Sequence, residues 1–231
     1  MTRKTIKLLT SFVILSLVLA CPVARAASPE TRINESIATL REMADEPDAK
    51  AMASLLQRAK GVAIFPSVVK AGIFLGGKYG EGLVIQRDPN TGSWYGPSFI
   101  TMKGVSYGLQ FGVQSTALVL VINNEQGMES FRGSQKFTLG GDIGIAAGPV
   151  GRQAGASTDV ELKSAIYSYS ISKGLFAGIS LEGAIIETDD SVNELYWGRP
   201  MYPQRILDTN AIDARVRPLL EELDELMQKA G

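Results

Sequence analysis

Val105-Ser106-Tyr107-Gly108-Leu109-Gln110-Phe111-Gly112-Val113-Gln114 alternates without a break between bulky apolar residues and small or amide-bearing ones. A period of two sends successive side chains to opposite faces of a strand, so Val105, Tyr107, Leu109, Phe111 and Val113 make one greasy face. The opposite face, Ser106, Gly108, Gln110, Gly112 and Gln114, either meets water or lets another backbone come close. Just beyond, Ala117 to Ile122 is apolar at every position, the pattern of a strand covered on both faces, and Asn123-Asn124-Glu125-Gln126-Gly127 ends it.

Working outward, 23 of the 24 glycines lie between Gly61 and Gly198, which marks the middle of the chain as β-rich. Val68 to Leu75 and Gly82 to Arg87 are expected to pair across Gly76-Gly77-Lys78-Tyr79-Gly80, with a turn at Asp88-Pro89-Asn90-Thr91-Gly92. Phe137, Leu139, Ile143 and Ile145 continue the strand pattern, with a bend or bulge at Gly140-Gly141. Ala165 to Ser172 and Leu175 to Ile186 read as two strands joined across Lys173-Gly174.

Both ends of the chain read as helix. Ser28-Pro29-Glu30 supplies an N-cap and a first-position proline, after which Ile33, Ile37, Leu40 and Met43 recur at helical spacing up to Glu46-Pro47. A second helix is predicted from Asp48 to Ala59, with Met52, Leu55 and Leu56 on its apolar face. Near the C-terminus, Pro218 opens a helix whose Leu219, Leu220, Leu223, Leu226 and Met227 share one face, while Glu221, Glu222, Asp224 and Glu225 share the other. An anionic membrane would repel that acidic face, so the helix should pack on the sheet or on a partner. The expected class is α+β: an antiparallel β-rich core, sheet or sandwich, flanked by N-terminal and C-terminal helices.

The 231 residues are 45% hydrophobic and 20% charged, with one cysteine and no histidine. Lacking His, the chain cannot run Ser-His-Asp or Cys-His catalysis, bind zinc or haem through imidazole, or switch by imidazole titration near neutral pH. A single cysteine excludes an internal disulfide network. With 23 Lys and Arg against 24 Asp and Glu there is no basic excess of the kind nucleic-acid binders carry. No cofactor is expected.

Residues 1–26 read as a signal peptide: Arg3, Lys4 and Lys7, then an uncharged, mostly apolar run from Leu8 to Ala20, too short to span a bilayer comfortably. Two exits compete. Ala24-Arg25-Ala26 is a small-x-small cleavage site before Ala27, whereas Val18-Leu19-Ala20-Cys21 resembles a lipoprotein box ending in an acylated Cys21. Bulky Leu19 and the following Pro22 favour the first, which gives a periplasmic or secreted protein; the second gives a lipid-anchored one. Removing the leader takes Arg3, Lys4, Lys7 and Arg25 and no acid, leaving 19 basic against 24 acidic residues in a single domain, 27–231. Its parts are helical (27–59), β-rich (60–200) and helical again (203–231).

Charge is unevenly spread. Residues 60–103 carry five basic residues against two acidic, residues 130–175 five against three, and residues 182–231 five against eleven. A locally positive middle suits phosphate headgroups, unless those cations are simply scattered and solvated. Other motifs fall short of chemistry. Gly72-Ile73-Phe74-Leu75-Gly76-Gly77-Lys78 has P-loop spacing but continues with Tyr79 where Ser or Thr would hold magnesium. Asp189-Asp190 with Glu187 and Glu194 could bind a hard cation or serve as an acid/base pair, but paired carboxylates in a polar turn are more often solvated or capping the following helix. Trp94-Tyr95 and Tyr196-Trp197 are aromatic pairs of the kind that can sit at a membrane interface, though packing over loops is the commoner role.

Lys60-Gly61-Val62-Ala63-Ile64-Phe65-Pro66, Lys70-Ala71-Gly72 and Gly76-Gly77-Lys78-Tyr79-Gly80-Glu81-Gly82 resemble the opening signature of the SYLF domain, also called the Ysc84 family. Trp94 to Phe99, Gln110 to Thr116, Gly148 to Arg152, Tyr167 to Ser170, Lys173 to Gly178 and Leu181 to Gly183 extend that resemblance, in order, over nearly all of residues 30–200. It implies a lipid-binding, non-enzymatic domain of a bacterial exported member, with a preference for phosphoinositides or other anionic membrane phospholipids. It also implies, from some fungal members, actin binding, which export would forestall. The cations expected to hold headgroups are Lys60, Lys70, Lys78, Arg87 and Lys103, then Lys136, Arg152, Lys163 and Lys173. The rival expectation is an envelope protein partner, engaged through a sheet edge or the acidic C-terminal helix.

Overall fold

The structure, a computed structural model, describes residues 26–148, 164–173 and 181–229; side chains are described for these except at 72–75, 106–112 and 172–173. Two long strands organise it. β1 (Gly61–Arg87) and β2 (Trp94–Ile122) pair antiparallel over their whole length, from Gly61↔Ile122 to Arg87↔Trp94. The expected turn joins them: Gly92 lies at φ +75°, its N–H donating to the Asp88 carbonyl, while the Asp88 carboxylate accepts from the Asn90 N–H and the Thr91 hydroxyl. The anticipated hairpin across Gly76 to Gly80 does not form, because these residues stay extended and pair with Met102 to Ser106. A glycine run without turn geometry remains free to follow a strand when a long partner is available.

This ribbon doubles back on itself. The Arg87 N–H donates to the Lys60 carbonyl at 2.8 Å, bringing the two ends of β1 together. A Cβ on Gly61 would stand 2.7 Å from the Ile85 oxygen, and one on Gly80 2.9 Å from Val68 Cγ2, so glycine permits the close approach. A register shift between Phe65 and Val68 inserts one extra residue beside Pro66, which has no N–H to lose. That bulge turns both Phe65 and Val68 into the same core cluster, although their odd spacing would otherwise oppose them.

On the edge away from β1, β2 carries two further strands. Ile100 to Lys103 pair with β6 (Ile185–Thr188), and Ser115 to Ile122 with β5 (Ile166–Lys173). β3 (Lys136–Thr138) adds to β6, and β4 (Ile145–Ala147) adds to β5 in parallel. Core lies on both sides of this curled sheet. Val119 and Val121 enter one cluster with Val62, Ile64, Leu83 and Phe99, while Leu118, Leu120 and Ile122 enter the other with Phe65, Val84 and Met102. Hence the unbroken apolar run: each residue is buried, and each is worth about 1.5–3 kcal/mol of transfer free energy.

Helices cover the first cluster. α1 (Pro29–Ala44) starts where Ser28 accepts the Thr31 N–H, and buries Ile33, Ile37, Leu40 and Met43. α2 (Ala49–Leu56) buries Met52, Leu55 and Leu56. The C-terminal α6 (Arg217–Gln228) lays Leu219, Leu223, Leu226 and Met227 into the same core. The second cluster is capped by α3 (Glu125–Gly133), a helix that the Asn123 to Gly127 turn signal concealed; Asn124 is its N-cap. α4 (Asp190–Trp197) and the short α5 (Pro203–Leu207) complete the chain. The bend at Gly140 is present, at φ +78°. Of the strand expected from Leu175 to Ile186, residues 174–180 lie outside the described set, and Leu181 to Ala184 form a turn closed by the Ala184 N–H on the Leu181 carbonyl. The fold is therefore α+β, with an antiparallel core and helices from both ends of the chain.

Candidate functional site

The cations do not share one location. Lys60 and Arg87 sit where the ends of β1 meet, beside a cleft that also includes Asp88, Glu125 and Asp208. Lys60 lies 3.6 Å from Glu125, and Arg87 donates to the Gln57 carbonyl at 2.6 Å with its guanidinium over Trp94. Arg132 pairs with Asp208 there at 2.7 Å, so cations and carboxylates balance and this end has little net pull on an anion. Lys103 pairs with Glu187, and Lys136 stands across from the same Glu187 in the ladder. Arg152 and Lys163 lie outside the described residues, as do Cys21 and the leader up to Arg25; Lys173 is placed in β5 without a described side chain.

Lys70 and Lys78 differ. They flank the middle of the ribbon, where β1 turns back on itself, and among the described residues Lys70 makes no ion pair. Lys78 is only 5% exposed, its stem lying over Gly104, where a Cβ would collide with it. Burial lowers the proton affinity of its ammonium, and the nearby charge of Lys70 lowers it further. Lys103 is opposite Tyr79, one residue along. Along the same stretch, at positions alternating with those of the two lysines, Val69, Val105 and Val113 stand in solvent, Val105 at 61% and Val113 at 75% exposure. Val105 and Val113 lie at the two ends of the alternating stretch of β2, and their exposure is invisible in the pattern, because period two defines a face without saying what covers it.

Below that region lies a buried ion cluster that residue spacing did not announce. Arg32, 1% exposed in α1, reaches Asp189 Oδ2 at 2.7 Å, Glu81 Oε2 at 3.4 Å and the Ile100 carbonyl at 3.4 Å. Its one sequence signal is its position beside Ile33 and one turn before Ser36, inside the apolar stripe. Burial alone would raise the Asp189 carboxyl, but hydrogen bonds from Arg32 and Ser191 outweigh it and hold the group below its ordinary 3.8. Asp189 also accepts the Val192 N–H as the N-cap of α4. An acid/base reading of Glu187, Asp189 and Asp190 required raised values in a cleft; instead Asp189 is held ionised, Glu187 is paired with Lys103 and Asp190 is exposed. Partial burial, with Glu81 as a hydrogen-bond acceptor, pushes the Tyr79 hydroxyl up to about 12.

The aromatic pairs are packing elements. Trp94 Nε1 reaches Asp224 at 3.3 Å, Trp197 Nε1 donates to the Pro97 carbonyl, and Tyr196 lies under the Arg215 guanidinium. Among the described residues no helix is long and apolar enough to cross a membrane.

Residues 103–226 match the Ysc84 family, described as Las17-binding protein actin regulator. The chain belongs to that family. Protein YSC84 of Saccharomyces cerevisiae is 38% identical over 173 residues, covering 74% of this chain and 36% of its own length. SH3 domain-containing YSC84-like protein 1 of Homo sapiens is 34% identical over 185 residues, 79% of this chain and 53% of its own. LAS seventeen-binding protein 3 of Saccharomyces cerevisiae is 37% identical over 166 residues, 71% and 35%. This Ysc84-family chain thus spans about a third to a half of the length of these relatives, whose names describe binding and regulation rather than catalysis.

Proposed function

We propose that the chain is an exported, non-enzymatic lipid-binding domain that recognises anionic phospholipid headgroups through the cationic middle of the β1–β2 ribbon. One observation carries this reading: a buried Lys78 lies within electrostatic reach of Lys70, while Val69, Val105 and Val113 stand exposed on the same ribbon; Lys103, in register with Tyr79, points to the other face and is paired with Glu187. Nearby like charges repel, and a phosphate bound at them relieves that repulsion. Apolar side chains beside a cationic pair suit the boundary between headgroups and acyl chains. Lys60 and Arg87, facing Asp88 and Glu125, belong to a different end and are not expected to contribute.

Sedimentation with vesicles tests the proposal. Binding to phosphatidylglycerol-containing vesicles should exceed binding to pure phosphatidylcholine and weaken steeply with salt. Each cation near an anionic surface is worth about 1 kcal/mol, so Lys70→Glu, which reverses one charge, should weaken binding roughly 30-fold. Lys60→Glu should change it little. Equal, salt-insensitive binding to both vesicle types would remove the electrostatic mechanism.

A protein partner is the second reading. It is favoured by relatives named for Las17 binding and actin regulation, and by the edge of β2 between Gly104 and Gln114, where no strand pairs opposite β1 among the described residues. Such an edge can accept a strand from another chain. Export would keep the chain from actin itself, so the partner would be an envelope protein; its capture unaffected by Lys70→Glu would favour this reading.

A further inference from the structure

Ala27 is the residue that follows the Ala24-Arg25-Ala26 cleavage motif, and its main-chain N–H donates to Glu81 Oε2 at 2.9 Å. The same carboxylate faces Arg32 Nη2 and accepts the Tyr79 hydroxyl through Oε1, while Asp189 takes the guanidinium from the other side. Two carboxylates thus share one guanidinium. Lys103 is committed to Glu187, and Glu30 to Arg215, so among the described residues no further cation is paired with Glu81 or Asp189. The cluster is left with one negative charge in a largely buried place, a costly arrangement that a second cation would relieve.

The atom already in position is the Ala27 nitrogen, a neutral amide while the leader is attached. Hydrolysis of the Ala26–Ala27 peptide bond by a leader peptidase adds one water across it. The Ala26 carbonyl carbon takes the hydroxyl and leaves as a carboxylate, and the Ala27 nitrogen takes the proton and a second from solvent, becoming an ammonium below its pKa of about 8. Ala26 is exposed, so the bond to be cut lies at the surface. We propose that this cleavage completes the cluster: the new α-ammonium seats on Glu81 as the second cation and locks the start of α1 to β1. Maturation would then tighten the fold as well as release the chain. The proposal rests on the exported-leader reading, not on lipid recognition.

The test uses the full chain, expressed with its leader and recovered after export, compared with the same chain carrying one glycine inserted between Ala26 and Ala27, and with Glu81→Gln. Mass measurement should find Ala27 as the first residue of the parent chain. The inserted glycine displaces the ammonium and should lower the melting temperature at neutral pH by about 2–6 °C, with a similar loss for Glu81→Gln. Pairing with Glu81 raises the folded-state pKa of the amine above its unfolded value, so the extra stability is full below about pH 8 and disappears as pH rises through the folded pKa. The parent chain should therefore lose its advantage over the glycine insert in alkaline buffer. Equal melting of parent and insert at neutral pH, or a first residue other than Ala27, would overturn the proposal. Either result leaves the vesicle measurements to judge lipid binding separately, and if Glu81→Gln does not fold, the insert alone carries the test.

Discussion

Arg32 is enclosed by the start of α1, by β1 and by the Asp189 cap of α4, and its guanidinium is what makes the neighbouring carboxylates tolerable. Replacing it with Met would leave Asp189 and Glu81 facing a space without their cation, a loss of about 3 kcal/mol, read by chemical denaturation. The acid limb of the stability curve should change too. Asp189 titrates below its ordinary 3.8 in the folded chain, so the stability it contributes is present above that value and is lost as pH falls through the lower, folded pKa. Arg32→Met should flatten that part of the curve, and an unchanged acid midpoint would place the stabilisation elsewhere. Nothing in the spacing of Arg32 identifies its partners, which come from residues 81 and 189; long-range pairing of charges has no local signature.

At the scale of an element, β1 contains the sharpest contrast. A Cβ on Gly82 would overlap the Ile64 carbonyl oxygen, where the two halves of the strand meet, whereas one on Gly77 would meet nothing within 4 Å. Gly82→Ala should therefore destabilise by about 3 kcal/mol or prevent folding, and Gly77→Ala should stay within about 0.5 kcal/mol of the parent, both read as denaturation midpoints. In the sequence the two glycines look alike. One side chain ties α4 to the β2 main chain at Phe99: Asn193, buried, accepts the Phe99 N–H at 2.8 Å and donates to the Phe99 carbonyl at 3.1 Å, extending the strand's hydrogen bonding with an amide. Asn193→Leu strands the Phe99 N–H, while the Phe99 carbonyl keeps the Asp189 N–H, and should cost about 1–3 kcal/mol. The cap of this helix could be read from the paired aspartates, but its anchor could not, because an asparagine in a helix usually faces water.

Across the whole molecule, α6 closes the first core cluster, and its contacts explain why an acidic helix belongs to a protein proposed to bind anionic membranes. Its leucines face inward, Glu222 pairs with Arg41 of α1, and Met227 accepts from Gln57. Truncation before Arg217 should uncover the apolar faces of α1 and α2 on which it packs and yield an aggregating, dye-binding chain rather than a folded one with altered vesicle binding. A soluble, cooperatively melting truncation would show that α6 is an appendage available to a partner.

Local pattern sufficed for the terminal helices, for the strand Ala117 to Ile122 and for the Asp88 to Gly92 turn. Caps, periodicity and turn residues act over a few positions, and here each agreed with its neighbours. The return of one long ribbon upon itself depended on contacts some 20 residues apart, as between Gly61 and Ile85, and the glycines that allow it resemble those that do not. So did the sorting of the cations: Lys60, just before β1, and Lys70, ten residues on within it, fall near a carboxylate and near another ammonium respectively. Charge can be counted along a chain, but its sign at a point in space follows from which distant side chains the fold brings there.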